Sequence, residues 1–253
     1  MTTNFGANRE ASFGRATSVP GVTFDAGLRQ YMLGIYNNMA IGLGITGVVA
    51  AVAGNSPAFL SAMMNVNDVG KAGLSGLGWL VTLAPLAFVF LMSMGAGRMS
   101  AATLRLVFFA FSAIMGLSLF SVFAAYTNES IARTFFITAG TFGAVSLYGY
   151  TTKRDLTGMG HFMLMGLFGI IIASIVGIFF QSSALQFAIS VLGVVIFTGL
   201  TAWDTQRAKE MYAANAGLEA NSKLAIMSAL SLYMNFINMF LYLLRFFGQQ
   251  RSE

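Results

Sequence analysis

Long apolar runs separated by short polar clusters dominate the chain. Tyr31 to Gly54 carries no charged residue and is long enough for a membrane-crossing helix, which needs roughly 20 residues at about 1.5 Å rise each. Gly78 to Met94 follows, inside a charge-free stretch from Ala72 to Gly97. Phe-rich Leu106 to Tyr126 is a third run, and Thr134 to Tyr150 a fourth, somewhat short unless Ile131 to Arg133 join it. Between Asp155 and Asp204 there is no Lys, Arg, Asp or Glu. That stretch is about twice the thickness of the hydrocarbon core, so it must fold back. The polar Gln181, Ser182 and Ser183 mark the turn. The pattern therefore predicts a fifth helix from His161 to Phe180, a sixth from Ala184 to Asp204, and a seventh from Leu224 to Leu244.

Composition turns this pattern into a class. Of 253 residues, 57% are hydrophobic and 9% charged, against about 25% charged in ordinary soluble domains. A soluble enzyme, a disordered chain and a nucleic-acid-binding domain are excluded, even with a pI of 9.7. The absence of cysteine removes disulfides, thiolate metal sites and a Cys nucleophile, and the single histidine, His161, removes a His-rich metal site. The expected fold is an all-α integral membrane protein of seven transmembrane helices in a lipid bilayer. Its parts are a polar tail over residues 1–30, a membrane domain over 31–248 and a short tail over 249–253. Nothing in the pattern specifies an oligomeric state.

Lys and Arg concentrate in cytoplasmic loops. With the N-terminus inside, that side holds Arg9, Arg15, Arg29, Arg98, Arg105, Lys153, Arg154, Arg207, Lys209 and Lys223; the other side holds Lys71, Arg133, Arg245 and Arg251. This predicts a cytoplasmic N-terminus and an external C-terminus. Residues 1–30 contain no apolar h-region, so no cleaved signal peptide is expected. The connection from Asn55 to Leu77 is expected to form a partial helix on the outer surface or to run irregularly. Small residues let helix backbones approach in lipid. Gly169, Ala173 and Gly177 predict a close-packing face on the fifth helix; Ser112 with Gly116, and Gly140 with Ala144, predict others.

Candidate chemistry centres on the last two helices. Ser228, Ser231, Asn235, Asn238, Tyr242 and Arg245 recur at alternating spacings of three and four, which places them on one side of a helix. A polar stripe facing lipid is costly, so the seventh helix is expected to be interior. Its stripe is either interhelical hydrogen-bonding glue or the wall of an ion pathway. Asp204 is the one carboxylate within a turn of an apolar span. An ionisable residue there is a functional candidate, namely a proton-sensitive gate, or else a hydrated interfacial residue paired with Arg207. Asp155 is expected to cap the fifth helix or to pair with its neighbours. Asn37 and Asn38 read as packing contacts and His161 as an interfacial residue.

Several seven-helix activities do not fit. A retinal protein needs a lysine within the seventh helix, and Lys223 lies at its mouth. A membrane serine protease needs a deep Ser–His pair, and an aspartyl one two facing aspartates. A dedicated Ca²⁺ cage needs several carboxylates. Enzymatic chemistry and bound cofactors are not expected.

The last segment, Ala229-Leu-Ser-Leu-Tyr-Met-Asn-Phe-Ile-Asn-Met-Phe240 continuing through Leu243-Leu-Arg-Phe-Phe-Gly248, resembles the Bax inhibitor-1 (TMBIM) family. Thr201-Ala-Trp-Asp-Thr-Gln206 is similar to that family's sixth-helix motif, Phe111-Ser-Ala-Ile-Met-Gly-Leu-Ser-Leu119 to its third helix, and the Lys153-Arg154-Asp155 turn fits. The likeness covers residues 25 to 248. It implies two groups of three helices around a central seventh helix, and a pH-dependent calcium leak gated by an aspartate pair. It also implies a latching arginine at the cytoplasmic end of the second helix. Asp204 matches one aspartate and Arg98 the latch, but Asn235 stands where the family has the second aspartate. Asn cannot ionise, so a paired titration is lost, and a weaker or shifted pH response is expected. On this reading Asp204, Asn235 and Arg98 form the gate. Ser228, Ser231, Asn238 and Tyr242 line the pathway, and Ca²⁺ is the permeant ion. Some bacterial members resemble modulators of an FtsH-type membrane protease instead, for which the polar tail would be the contact segment. A bacterial inner membrane is the expected location.

Overall fold

The computed structural model describes residues 26–66, 72–180, 182–213 and 216–251. Arg9, Arg15, Lys71, Gln181 and most of the polar tail lie outside the described residues. In chain order the elements are α1 (Ala26–Gly54), α2 (Pro57–Met63), β1 (Met64–Val66), β2 (Ala72–Leu74), α3 (Gly76–Gly95), α4 (Ala101–Ser118), α5 (Phe120–Ala125), α6 (Asn128–Thr151), α7 (Thr157–Phe179), α8 (Ser183–Met211) and α9 (Gly217–Phe247). Seven spans long and apolar enough to cross a membrane result, with α4 and α5 together making the third. The protein is an all-α multi-pass membrane protein.

The spans extend past the apolar runs because polar residues between them start helices. Ser75 accepts a hydrogen bond from Gly78 N, Ser100 from Thr103 N, Thr127 from Ser130 N and Ser182 from Leu185 N. Each satisfies a donor that the first helical turn leaves free. The start of α9 has no side-chain cap, and the chain enters it through Gly217 at φ 81°, a conformation glycine adopts without a Cβ penalty. The N-cap position of α7 is Leu156, without a side-chain cap, and Asp155 pairs with a neighbour instead, its Oδ1 accepting from Thr157 N at 2.8 Å. The Thr157 hydroxyl and then its backbone N–H hold the Asp155 carboxyl below the usual carboxylate range. The Asn55–Leu77 connection is more ordered than the sequence suggests. It contains α2, capped by Ser56 with Pro57 in its first turn, and an antiparallel β1–β2 pair with Met64 opposite Leu74.

The seventh span is central. α9 packs against α1, α4, α6 and α8, whereas α3 leans on α4 and α7 on α8. The first three spans and the next three thus form two groups around α9. In its apolar stretch 61% of residues are buried, against 6% for α7. Ile226, Ala229, Leu232, Tyr233 and Met239 are fully buried. The Tyr233 ring meets Phe108 and Phe111 edge-on. Its hydroxyl lies 2.6 Å from Thr46 Oγ1, which is 2.8 Å from Ser112 O. Thr46 has one proton to give, to a carbonyl, so Tyr233 donates to Thr46.

Close backbone approach occurs at other glycines than the four-residue spacing suggests. A Cβ at Gly116 would meet Thr46 O and Val49 Cβ, as expected of the third span. At Gly169 and Gly140 it would meet nothing, and at Gly177 only Leu185 at 3.7 Å, so the predicted face of α7 is not a tight interface. The tight contacts of this half include Gly149 of α6 against Ala202 O of α8, Gly160 of α7 against Trp203, and Gly193 and Gly199 of α8 against Tyr242 and Met163. Gly149 lies between Tyr148 and Tyr150 and Gly169 between Phe168 and Ile170, so large apolar or aromatic neighbours do not tell a packed glycine from a lipid-facing one. Asn38 is buried, with Nδ2 donating to Gly34 O, but Asn37 is exposed. Residues 249–251 are tied down: Gln249 O accepts from Thr127 N, and the Arg251 guanidinium donates to Tyr126 O and Asn128 Oδ1.

Candidate functional site

α8 brings Asp204 to the inner face of the bundle near the end that carries Arg98, Arg154 and Lys209. α9 meets it there with two side chains of its polar stripe. Ser231 Oγ and Asn235 Nδ2 each donate to the same carboxylate oxygen, Asp204 Oδ2, at 2.7 Å. Residues 231 and 235 are one helical turn apart, which is why both reach one atom. Asn235 is 5% exposed and Asp204 half-buried. Hydrogen bonds to an ionised acceptor are shorter and about twice as strong as neutral ones, so the charged carboxylate is the form that ties α8 to α9 most firmly. Among the described residues no grouping of three or more His, Cys, Asp or Glu surrounds it.

The rest of the stripe does not converge on this point. Ser228 is buried beside the Tyr31 hydroxyl. Asn238 Nδ2 turns back to Met234 O at 2.8 Å. Tyr242 stacks on Phe197 and covers Gly193, with Arg245 over its other side. Arg98 is exposed in the α3–α4 connection and takes part in none of the ion pairs among the described residues, so the structure does not bring it to Asp204 as a latch. Arg207 does not pair with Asp204 either. Its guanidinium lies over the Trp203 ring, 5.4 Å from the centroid.

Four residues near Asp204 carry structure that the apolar pattern of the chain does not announce: Thr205, Ser146, Tyr36 and Gln206. Thr205 Oγ1 donates to Thr201 O at 2.8 Å and also lies 2.9 Å from Ser146 Oγ, which is 2.7 Å from Tyr36 OH. One proton per hydroxyl fixes the direction: Tyr36 donates to Ser146, Ser146 to Thr205, and Thr205 to its own helix. This chain joins α1, α6 and α8 beside the α8–α9 link. Gln206, 4% exposed, accepts from Leu156 N at 2.8 Å and donates to Arg154 O at 2.7 Å. Its side-chain amide thus holds the backbone on both sides of Asp155 in the Lys-Arg-Asp turn. The signal was present in the Thr201–Gln206 motif, whose last two residues are polar within a span.

Removing Gln206 should loosen that turn. Gln206→Leu leaves a buried N–H and a carbonyl unpaired, and is expected to cost about 2 kcal/mol. Thermal unfolding in detergent checks this. Gln206→Glu, which keeps the acceptor and loses the donor, should fall between the two.

At the same end, Glu219 of α9 accepts from Ala101 N at 2.7 Å, so α9 also supplies a cap for α4. The site is therefore built at the meeting of both three-helix groups with the central helix.

Similarity to known proteins agrees with this architecture. Residues 28–252 match the family described as "Inhibitor of apoptosis-promoting Bax1". The Escherichia coli K12 inner membrane protein YbhL is 44% identical over 228 residues, which is 89% of this chain and 94% of that protein. A Rickettsia prowazekii protein, RP147, is 46% identical over 236 residues, 93% and 96% of the two chains. A Caulobacter vibrioides protein is 45% identical over 244 residues, 94% and 98% of the two. With the match running from the first span through the last, and with the central striped helix in place, the chain belongs to the Bax inhibitor-1 family.

Proposed function

We propose that this protein is a cation leak of a bacterial inner membrane, with Ca²⁺ as a permeant ion and a gate at Asp204. The observation that carries the reading is the single carboxylate oxygen that holds both Ser231 and Asn235 of the central helix. Protonating Asp204 converts two charge-assisted bonds into neutral ones and loosens α8 from α9. Opening is therefore favoured by acid. Asn235 acts as a fixed donor to the gate, not as a second titrating group. The excess of Lys and Arg at the end holding Arg98, Lys153, Arg154 and Lys209 supports a cytoplasmic N-terminus and an external C-terminus. The naming of the Escherichia coli relative as an inner membrane protein supports the location.

Dye-reported Ca²⁺ influx into liposomes tests the proposal. Weakening the link by about 1.4 kcal/mol raises flux about tenfold, so wild-type flux should rise by that order from pH 8 to pH 5. Asp204→Asn should abolish the pH dependence. Equal pH profiles for the two proteins would remove Asp204 from the gate.

A second reading, a non-conducting modulator of an FtsH-type membrane protease, is favoured by one observation. The outer part of the stripe is occupied locally, with Asn238 bonded to its own helix and Tyr242 packed on Phe197. Absence of flux above empty liposomes at every pH would place this reading first. Deleting the polar tail should then abolish protease modulation.

A further inference from the structure

At the end of the bundle away from Asp204, α7, α8 and α9 surround a cavity of 590 Å³. Its polar lining includes Arg245, Gln186, Ser190 and Gln250, and its apolar lining Ile178 and Phe187; among the described residues no carboxylate lines it. We propose that this cavity binds an anionic phospholipid, with the Arg245 guanidinium on the lipid phosphate.

Charge selects the anion. Arg245 lies over the Tyr242 ring, 5.5 Å from the centroid, and takes part in none of the ion pairs among the described residues. The other described cations at this end are committed: Arg133 to Glu129, and Arg251 to Tyr126 O and Asn128 Oδ1. Ser190 gives its hydroxyl proton to Gln186 O at 2.8 Å, so it offers the cavity an acceptor only. The donors left for a ligand include the guanidinium, the side-chain amides of Gln186 and Gln250, and the hydroxyls of Ser183 and Tyr126. A planar guanidinium matches phosphate in a bidentate geometry.

Shape selects the lipid over a free anion. Ile178 is 71% and Phe187 63% exposed beside the polar lining, giving acyl chains a wall that inorganic phosphate has no use for. The cavity also lies where α7 ends at Phe179 and α8 begins at Ser183, the level at which a helix leaves the hydrocarbon for the headgroups. A volume of this size is within the range of specific small-molecule sites, roughly 300–1,000 Å³.

Native mass spectrometry of the full chain in detergent tests the site, titrated separately with phosphatidylglycerol, phosphatidylcholine and inorganic phosphate. Phosphatidylglycerol should bind wild type about tenfold more tightly than Arg245→Gln, the scale of one lost charge-assisted contact. Arg245→Lys should recover part of the loss. Arg133→Gln, at the same end but paired with Glu129 and outside the cavity lining, should bind as wild type does. Gly177→Leu fills the cavity while leaving Arg245 in place, since an added Cβ there meets only Leu185 at 3.7 Å, and should also weaken binding. Wild-type affinity in both Arg245→Gln and Gly177→Leu would overturn the proposal. So would phosphatidylcholine binding as tightly as phosphatidylglycerol, or inorganic phosphate competing on equal terms.

Discussion

Asn235→Asp should make the stability of the protein depend steeply on pH. In the wild type, Asn235 Nδ2 donates to Asp204 Oδ2 at 2.7 Å. The substitution replaces that donor with a second carboxylate oxygen at hydrogen-bonding distance. Such a contact holds only with a proton between the two groups. When both are ionised, unit charges about 4 Å apart at an effective dielectric of about 20 repel by about 4 kcal/mol. Wild type and variant should therefore unfold at similar temperatures near pH 5, where the pair keeps a proton. The variant should fall progressively below wild type as pH rises to 8. A difference in unfolding temperature that stays constant over this range would mean that the two side chains are not coupled. The substitution also recreates the aspartate pair that the family resemblance leads one to expect at these positions, so it measures what Asn235 has changed in this chain.

Gly149→Leu should be the most destabilising single change on α6. A Cβ at this position runs into Ala202 O, a backbone atom of α8 that cannot rotate away. Overpacking typically costs 1–3 kcal/mol; with backbone on both sides, about 3 kcal/mol is expected here. Pushing α6 off α8 also stretches the Ser146–Thr205 hydrogen bond one turn away, so the Tyr36–Ser146–Thr205 chain should break with it. Gly140→Leu provides the contrast on the same helix, since a Cβ at Gly140 meets nothing and little loss is expected. Thermal unfolding of the two variants in one detergent separates the effects. Similar losses in both would show that helix propensity, not the α6–α8 contact, governs this surface.

These cases show which features a sequence exposes in a membrane bundle. The seven spans followed from the lengths of the apolar runs, and the interior position of α9 from the side on which Ser228, Ser231 and Asn235 fall. Asp204 was visible because a carboxylate within a span stands out against apolar neighbours. Its partners were only half visible. Periodicity tells which side of α9 is polar, yet the axial register that lets residues 231 and 235 share one oxygen is set by packing between helices. Gln206 and Thr205 were overlooked for the same reason: their partners, Arg154, Leu156 and Ser146, are about 50–60 residues away. Arg98 was placed by analogy of position, and in this structure the α3–α4 connection leaves it exposed. The misplaced small-residue face on α7 has a related cause. Lipid and a neighbouring helix are equally apolar, so Gly169 and Gly149 have the same local surroundings in sequence and opposite ones in space.

The central place of α9 also sets the order in which this protein can be completed. Ribosomes deliver the helices from first to last, and the helix against which α1, α4, α6 and α8 all pack is the last of the seven spans. Until it arrives, Asp204 lacks both of its donors, Thr46 lacks the Tyr233 hydroxyl, and the start of α4 lacks the Glu219 cap. A chain held at six spans thus leaves the Asp204 carboxylate without these donors inside a span, where an ionisable group is costly. Six helices wait for their core, and the bundle closes from the inside when the seventh span is inserted.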